Sequence, residues 1–340
     1  MLWAETTQDP ELRRRAFAGL RRFQNAPRPA ETEPPQEVAR AGRARLLRRG
    51  GTHETGDDRP PVILVPSLIN PPDVMDLSPQ RSLLRYLQHE GHDAYLLDWG
   101  EPDPADREQG LADHIESLLL PLLAHFSRPP VLIGYCLGGT LVIGAAARLA
   151  ALGTPAQAVA TIAAPWDFAQ YDAAFAAQAD AVWTQSRPSC EALGLVPMEV
   201  LQTGFWSLDP KRTIRKYADF LDMEDGSPAW RGFITLEDWA NEGAPLTLAV
   251  GRELIEYCYG DNLTGRGDWH VGGTRVDPTA LACPNLAIAS TSDAIVPAAT
   301  TPPLQERIDL TLGHVGMMIG GRAEEMLWKP LSAWIGRNGG

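Results

Sequence analysis

GYCLGG (134–139) is the most informative stretch of this sequence. It follows PPVLIGY (129–135), a short apolar run typical of a buried parallel strand, and leads into GGTLVIGAAARLAALG (138–153), a helix rich in small residues. G-x-S-x-G at a strand-to-helix turn is the nucleophile elbow, and Cys136 stands here in place of the serine. The motif predicts a nucleophilic cysteine in a strained turn, whose glycine neighbours let strand and helix approach closely.

The position of Cys136 favours its reactivity. At a helix N-terminus, the helix dipole and the free backbone N–H groups favour a thiolate over a thiol. The alternative is that Cys136 is only a small buried apolar residue. The remaining cysteines lack such a context and are expected to be structural: Cys190, Cys258 and Cys283.

An oxyanion hole is expected from two backbone N–H groups beside the nucleophile. The N–H of Leu137 is positioned to be one donor. The other should come from PSLINPP (66–72), the loop after the first strand, in which Ser67, Leu68 and Ile69 are candidates and Leu68 is our assignment. Alternatively, this loop is an ordinary proline-containing turn.

An acid and then a histidine should follow the elbow along the chain. Asp293 lies in NLAIASTSDAIVP (285–297), where a late strand runs into a loop, and His314 lies in LTLGHVGMMIG (310–320), a glycine-flanked loop before the last helix. The simpler alternatives are a solvated turn carboxylate and an ordinary histidine. The other histidines precede the elbow or lie in a later insertion, so the predicted catalytic residues are Cys136, Asp293 and His314.

Strands and helices alternate from residue 61 onward, which predicts an α/β fold with a mostly parallel sheet and helices on both faces. Between residues 170 and 275 the alternation gives way to helix and loop with many aromatic residues. This segment is expected to form a helical cap over the carboxyl end of the sheet, where such folds bind ligands. The predicted parts are an arm (1–60), a first core segment (61–169), the cap (170–275) and a second core segment (276–340).

The arm differs in charge from the rest of the chain. Residues 1–60 hold 12 arginines and 9 acidic residues, while the whole chain has a net charge of −13. ELRRRAFAGLRRF (11–23) has the spacing of a short basic helix, APRPAETEPPQ (26–36) is an irregular link, and ARAGRARLLRRGG (39–51) is a second helix or an edge strand. We expect a solvated arm packed loosely on the body, with a partner-docking surface as the alternative.

The composition excludes several classes of protein. The 340 residues are 44% hydrophobic and 21% charged, as in globular proteins, and the acidic balance argues against nucleic-acid binding. The sequence contains no apolar run long enough to span a membrane, its first residues are not expected to form a signal peptide, and its scattered cysteines fit a reducing cytoplasm. Neither a zinc motif nor a phosphate-binding loop is present, so no metal or cofactor is expected.

Several ordered segments resemble the polyhydroxyalkanoate (poly-3-hydroxybutyrate) synthase family. These segments are VILVPSLINPPDVMDLSPQRSLLRYLQHEGHDAYLLDWGEP (62–102), GYCLGGT (134–140), FWSLDPKRTIRKYADFLD (205–222), FITLEDWANEGAPL (233–246), SDAIVP (292–297) and LGHVG (312–316). The resemblance implies an α/β-hydrolase core with a helical cap. It also implies acyl transfer from a 3-hydroxyacyl-CoA onto a growing polyester, in the cytoplasm or at the surface of polyester granules.

The resemblance also implies roles for the site residues. Cys136 would be the covalent nucleophile and His314 the general base, while Asp293 would help to activate the 3-hydroxyl group as well as orient the histidine. Ala294 stands where the family commonly has a histidine. The chain length resembles that of synthase subunits that need a second, different subunit; a homodimer is the other expected assembly.

A cysteine suits this chemistry because its acyl thioester stays activated for attack by a hydroxyl group. Two other functions use the same residues differently. A hydrolase (a thioesterase, an esterase or a polyester depolymerase) would use Cys136, Asp293 and His314 with water as the acceptor. A binding or regulatory module would keep the scaffold without catalysis, although the intact order of cysteine, aspartate and histidine argues against it.

Overall fold

A computed structural model describes residues 6–28, 34–50, 59–208 and 210–339. The strands in chain order are β1 (Gln36–Ala41), β2 (Ala44–Arg48), β3 (Val62–Val65), β4 (Asp76–Ser78), β5 (Arg81–Ser82), β6 (Ala94–Asp98), β7 (Val131–Tyr135), β8 (Ala158–Ile162), β9 (Leu195–Val196), β10 (Leu246–Thr247), β11 (His270–Val271), β12 (Thr274–Arg275), β13 (Asn285–Ser290) and β14 (Glu306–Leu310).

The helices alternate with the strands outside the cap. They are α1 (Pro10–Asn25), α2 (Leu83–His89), α3 (Leu111–Asp113), α4 (Leu120–Leu123), α5 (Leu137–Ala151), α6 (Ala173–Leu193), α7 (Met198–Leu208), α8 (Pro210–Phe220), α9 (Pro228–Asn241), α10 (Leu248–Arg252), α11 (His314–Ile319) and α12 (Lys329–Asn338). Segments of π-helix continue or precede some of them, at His114–Leu119, Glu253–Gly260 and Glu324–Trp328.

Within the described residues, eight strands form one sheet in the order β1-β2-β6-β3-β7-β8-β13-β14. The pairs from β6 to β14 are parallel, whereas β1–β2 and β2–β6 are antiparallel. Side chains alternate across the sheet, so Ile63 and Val65 belong to one apolar cluster while Val62 and Leu64 belong to the other. Both faces are therefore covered, and the predicted α/β-hydrolase fold is confirmed.

The hairpin of β1 and β2 departs from the expected loose arm. Residues 36–48 form the edge of the central sheet rather than a solvated segment. Ala44 and Leu46 are fully buried against the core, while Arg45 points outward and pairs with Asp98 on β6. Arg43 and Arg48 are largely buried and pair with Asp106 and Asp93, so the basic residues here belong to the fold rather than to a solvated arm. The strand expected in 39–51 is present, but β2 lies between β1 and β6, and only β1 is the edge of the sheet.

Helix α1 also packs tightly, against the cap helix α8. Ala16 and Phe23 are buried, and a Cβ placed on Gly19 would lie 1.8 Å from the carbonyl oxygen of Tyr217. The two helices therefore touch along their backbones, which only a residue without a side chain permits. The basic face of α1 is not wholly solvated either, because Arg22 donates to the carbonyls of Phe220, Leu221 and Met223 at the C-terminal end of α8.

The segment predicted to be a cap is largely helical. Helices α6 to α10 follow one another between β8 and β13, with the short β9–β10 pair among them. Trp239 on α9 donates from its indole to the carbonyl of Pro71, in the loop after β3. In the parts of the chain that the structure describes, none of the helices has the length and apolar composition needed to cross a membrane.

Candidate active site

Cys136 forms the turn between β7 and α5. Its backbone has φ 54° and ψ −128°, outside the regions that L-residues normally occupy. A Cβ on Gly138 would lie 2.2 Å from the carbonyl oxygen of Val65, so this glycine is required where the turn meets β3. The predicted strained elbow is present, and it points the Cys136 side chain into a cavity.

Asp293 and His314 meet across the end of the sheet. The Nδ1 of His314 donates to Oδ2 of Asp293 at 2.6 Å. The other carboxylate oxygen, Oδ1, accepts the backbone N–H groups of Ile295 and Val296 at 2.8 and 2.9 Å. The Asp293 side chain is fully buried, so these bonds fix its orientation and leave its charge facing the imidazole.

The pKa of His314 depends on both Cys136 and Asp293. Burial of the ring lowers its pKa, but the charge on Cys136, the hydrogen bonds with Asp293 and Cys136, and the charge on Asp293 together outweigh burial and raise the pKa to about 10. A protonated imidazole favours a thiolate beside it. The arrangement therefore favours a protonated imidazole that lies between Cys136 and the carboxylate of Asp293.

The other cysteines have a different environment. Cys190, Cys258 and Cys283 are buried, whereas Cys136 is partly exposed to the cavity. Burial raises the pKa of Cys258 to about 12 and that of Cys283 to about 11, and it also raises the pKa of Cys190. These thiols therefore stay protonated at neutral pH, as expected for structural residues.

Two residues that the sequence analysis missed support the histidine. The Tyr135 hydroxyl donates to the backbone carbonyl of His314 at 3.2 Å, and its ring lies against the imidazole. The buried hydroxyl of Ser290, at the end of β13, lies between the carbonyls of Leu310 and Leu312, which share its one proton as acceptors, and it accepts the N–H of Leu312 at 3.1 Å. Tyr135 could have been suspected from its place beside Cys136, but no local pattern signals Ser290.

Cys136 and His314 line one cavity, which we call the catalytic chamber because it holds two of the predicted site residues; the space inside it, including its opening to solvent, is about 940 Å³. Loop residues after β3 line one side, including Ser67 and Asn70, and cap residues line the other, including Gln202, Thr213, Lys216 and Trp239. The Lys216 ammonium pairs with buried Glu237 at 2.8 Å, and the Tyr217 hydroxyl donates to the same carboxylate oxygen. The cap therefore presents Lys216 to the chamber in a fixed position, because Glu237 binds its ammonium group and Tyr217 holds Glu237.

Of the two predicted oxyanion donors, one begins the helix after the elbow and the other lies in the loop after β3. Leu137 is the first residue of α5, where backbone N–H groups have no partner within the helix. In the loop after β3, the N–H of Ile69 donates to Oγ of Ser67 at 3.2 Å, which makes Ile69 the weaker candidate there. Leu68 stays a prediction. Within the described residues, no group of three or more histidine, cysteine or acidic side chains is placed to hold a metal ion.

Comparison with known proteins supports the resemblance. No protein-family model matches the chain. It is 27% identical over 316 residues to the poly(3-hydroxyalkanoate) polymerase subunit PhaC of Haloferax mediterranei, covering 89% of this chain and 63% of that protein. It is 28% identical over 293 residues to the same subunit of Allochromatium vinosum, covering 81% and 80%. The predicted resemblance to the polyhydroxyalkanoate synthase family is confirmed by these relatives.

The chain thus spans less than two thirds of the length of the Haloferax protein but most of the Allochromatium one. Among solved structures, the bromoperoxidase of Bacillus anthracis superposes with a TM-score of 0.53 at 15% identity, covering 88% of this chain and 99% of that one. At 15% sequence identity, this similarity shows a shared fold and nothing further.

Proposed function

We propose that this chain is an acyltransferase that polymerises 3-hydroxyacyl groups from CoA thioesters through a covalent thioester on Cys136. The observation that carries the proposal is that the partly exposed Cys136 and His314 line one chamber, with the buried carboxylate of Asp293 bonded to His314 behind them. The relatives named poly(3-hydroxyalkanoate) polymerase support the choice of substrate. The reaction needs no cofactor besides the acyl-CoA itself.

In the first step, the Cys136 thiolate attacks the carbonyl carbon of the acyl-CoA thioester. The developing oxyanion is held by backbone N–H groups, with Leu137 and Leu68 as the proposed donors. The carbon–sulfur bond to CoA then breaks, and the imidazolium of His314 protonates the departing thiolate. One thioester replaces another, so the acyl group stays activated on Cys136.

In the second step, the 3-hydroxyl of another 3-hydroxyacyl group attacks the Cys136 thioester. His314 and Asp293 are the groups placed to accept its proton, because they form one buried pair beside the sulfur. An oxoester forms and the thiolate of Cys136 is regenerated. Water competes with the hydroxyl, and the cap, through residues such as Trp239, limits its access to the chamber.

The test is to incubate the purified protein with 3-hydroxybutyryl-CoA and to follow free CoA while separating polymer from free 3-hydroxybutyrate. We expect CoA release with polymer formation, abolished in Cys136→Ala. Cys283→Ala is the matched control, because it removes a buried thiol outside the chamber and should leave the reaction intact.

The products distinguish the alternatives. CoA release with free acid alone would make the chain a thioesterase. Loss of activity in both cysteine variants would contradict the special role of Cys136. The proposal also includes association with a second synthase subunit or with a second copy of this chain. The assay is therefore run at several protein concentrations, and light scattering measures the mass of the active species.

A further inference from the structure

A second cavity lies in the cap, between α6, α7 and the π-helical segment Glu253–Gly260. We call it the cap groove; the space inside it, including its opening to solvent, is about 740 Å³. Apart from Gln178 and glycine, the residues that line it are apolar or aromatic, and they include Phe175, Val182, Trp183 and Val200. The indole N–H of Trp183 donates to Glu256 and so does not need a partner from the groove.

The cap groove adjoins the catalytic chamber. Ile69 lines both cavities. On α7, Leu201 lines the groove and its neighbour Gln202 lines the chamber, so this helix forms a wall between the two. Tyr259 also lines the groove; burial raises its pKa, and the charge on Cys136 raises it further, which places this phenol within electrostatic range of the nucleophile.

The two cavities differ in what they can bind. The chamber offers the hydroxyls of Ser67 and Thr213, the amides of Asn70 and Gln202 and the ammonium of Lys216 to polar parts of a substrate. The groove offers almost only hydrocarbon surface, which is favourable for a flexible alkyl chain and unfavourable for a phosphate or a charged peptide. An acyl group on Cys136 has both parts, a polar carbonyl end and an alkyl chain.

We propose that the cap groove binds the alkyl chain of the acyl group that is delivered to Cys136, so that 3-hydroxyacyl groups with long alkyl chains are substrates. This inference rests on the proposed function and adds the class of acyl group. Ile69 lies where the alkyl chain passes from the chamber into the groove. Each methylene group that enters an apolar pocket strengthens binding, so the preference grows with chain length.

Binding is measured without turnover in Cys136→Ala protein by titration calorimetry with 3-hydroxydecanoyl-CoA and 3-hydroxybutyryl-CoA. We expect the decanoyl thioester to bind at least about tenfold more tightly, since several methylene groups leave water. Equal affinities, or no binding of either thioester, would overturn the inference. The CoA part is common to both ligands and cancels in the comparison.

Substitutions that fill the groove test whether the alkyl chain binds there. Ala179→Trp narrows it from α6 and Val200→Phe from α7, and each should reduce the decanoyl preference by about fourfold to fifteenfold, the effect of burying one or two methylene groups. Ala177→Trp is the control, because Ala177 is an exposed residue on the same helix as Ala179. A preference that survives both filling variants would place the alkyl chain elsewhere.

The same proteins with Cys136 intact separate this inference from the proposed function. If CoA is released from neither thioester while the binding preference persists and responds to Ala179→Trp, the proposed polymerisation fails and the groove assignment stands. If CoA is released with polymer but without any preference in binding, the groove assignment fails and the proposed function stands.

Discussion

The imidazole of His314 lies against the ring of Tyr135, with the ring centroids 4.9 Å apart and the planes inclined by 31°. The Tyr135 hydroxyl also donates to the backbone carbonyl of His314. Tyr135, directly before Cys136, therefore contacts both the imidazole ring and the backbone of His314. The elbow thus positions His314 as well as Cys136.

Replacing Tyr135 separates these two contacts. Tyr135→Phe keeps the ring and loses one hydrogen bond, so we expect CoA release to fall by no more than about threefold. Tyr135→Leu removes the ring and lets the imidazole move, so kcat should fall about tenfold or more. Steady-state kinetics with 3-hydroxybutyryl-CoA decide this, and equal losses in the two variants would show that the ring contact does not matter.

Ser290 holds the loop that carries Asp293 to the loop that carries His314. Ser290→Ala leaves buried carbonyl and N–H groups without their partner, which should lower the free energy of unfolding by about 2 kcal/mol. The catalytic pair should also lose its alignment, so kcat should fall by about tenfold or more with a smaller change in KM. Urea denaturation and kinetics are measured on the same preparations.

Ser292→Ala is the control for Ser290→Ala, because Ser292 is exposed and two residues further along the same loop. It should change neither stability nor kcat appreciably. If Ser290→Ala loses stability but keeps the wild-type kcat, then Ser290 is structural and does not position the catalytic pair.

The raised pKa of His314 predicts how stability depends on pH. Its ordinary pKa is 6.5 and its pKa in the folded chain is about 10, so the folded state holds a proton that the unfolded state has lost between these values. The stabilisation is complete below the unfolded-state pKa, and it is lost as the pH rises through the folded-state pKa. The free energy of unfolding should therefore fall over this range in the wild type.

Two variants isolate this contribution. The fall should be smaller in His314→Gln, which cannot hold the proton, and smaller in Cys136→Ala, which lacks the charge that raises the pKa most. Urea denaturation at about pH 6, 8 and 10 provides the comparison. Identical slopes for the wild type and both variants would rule out a strongly raised pKa.

The attachment of α1 to α8 predicts an effect of Arg22. Its guanidinium donates to three carbonyls at the C-terminal end of α8 and to Asp225 at 2.6 Å. Arg22→Ala should destabilise this contact by about 2 kcal/mol and increase amide hydrogen exchange in both helices. Arg14→Ala is the matched control, since Arg14 is highly exposed and pairs with Glu11 on α1 itself.

Catalysis should respond as well, because α8 carries Lys216 and Thr213 into the catalytic chamber. Arg22→Ala should shift products from polymer toward free 3-hydroxyacid as water gains access. An unchanged product ratio together with faster exchange in α8 would show that the cap tolerates motion of this helix without admitting water.

Local pattern was sufficient to predict the elbow and the order of its partners. The strand-turn-helix around Cys136 depends on glycines and apolar runs within a few residues of one another, so the sequence carries the whole signal. Asp293 and His314 were predictable because each follows a strand at the same edge of a parallel sheet. Alternating strands and helices predicted the fold for the same reason.

The remaining features depend on contacts between residues that are distant in the chain. The arginines of residues 40–48 suggested a solvated arm, but Arg43 and Arg48 are largely buried and pair with Asp106 and Asp93, which are distant in the chain. Helix α1 packs on α8 because Gly19 leaves room for the backbone of Tyr217, which is about two hundred residues away in the chain. No local pattern encodes such a match.

By itself, the sequence determined the class of fold and predicted Cys136, Asp293 and His314 as the site residues in that order, because these features follow from local turn geometry and from the periodicity of apolar residues. Only the tertiary structure decided that Tyr135 and Ser290 hold His314, that α1 fastens the cap, and that an apolar groove adjoins the chamber at Ile69. Those features arise where separate elements pack together, and packing is fixed by the shape and chemistry of the whole core rather than by neighbours in the chain.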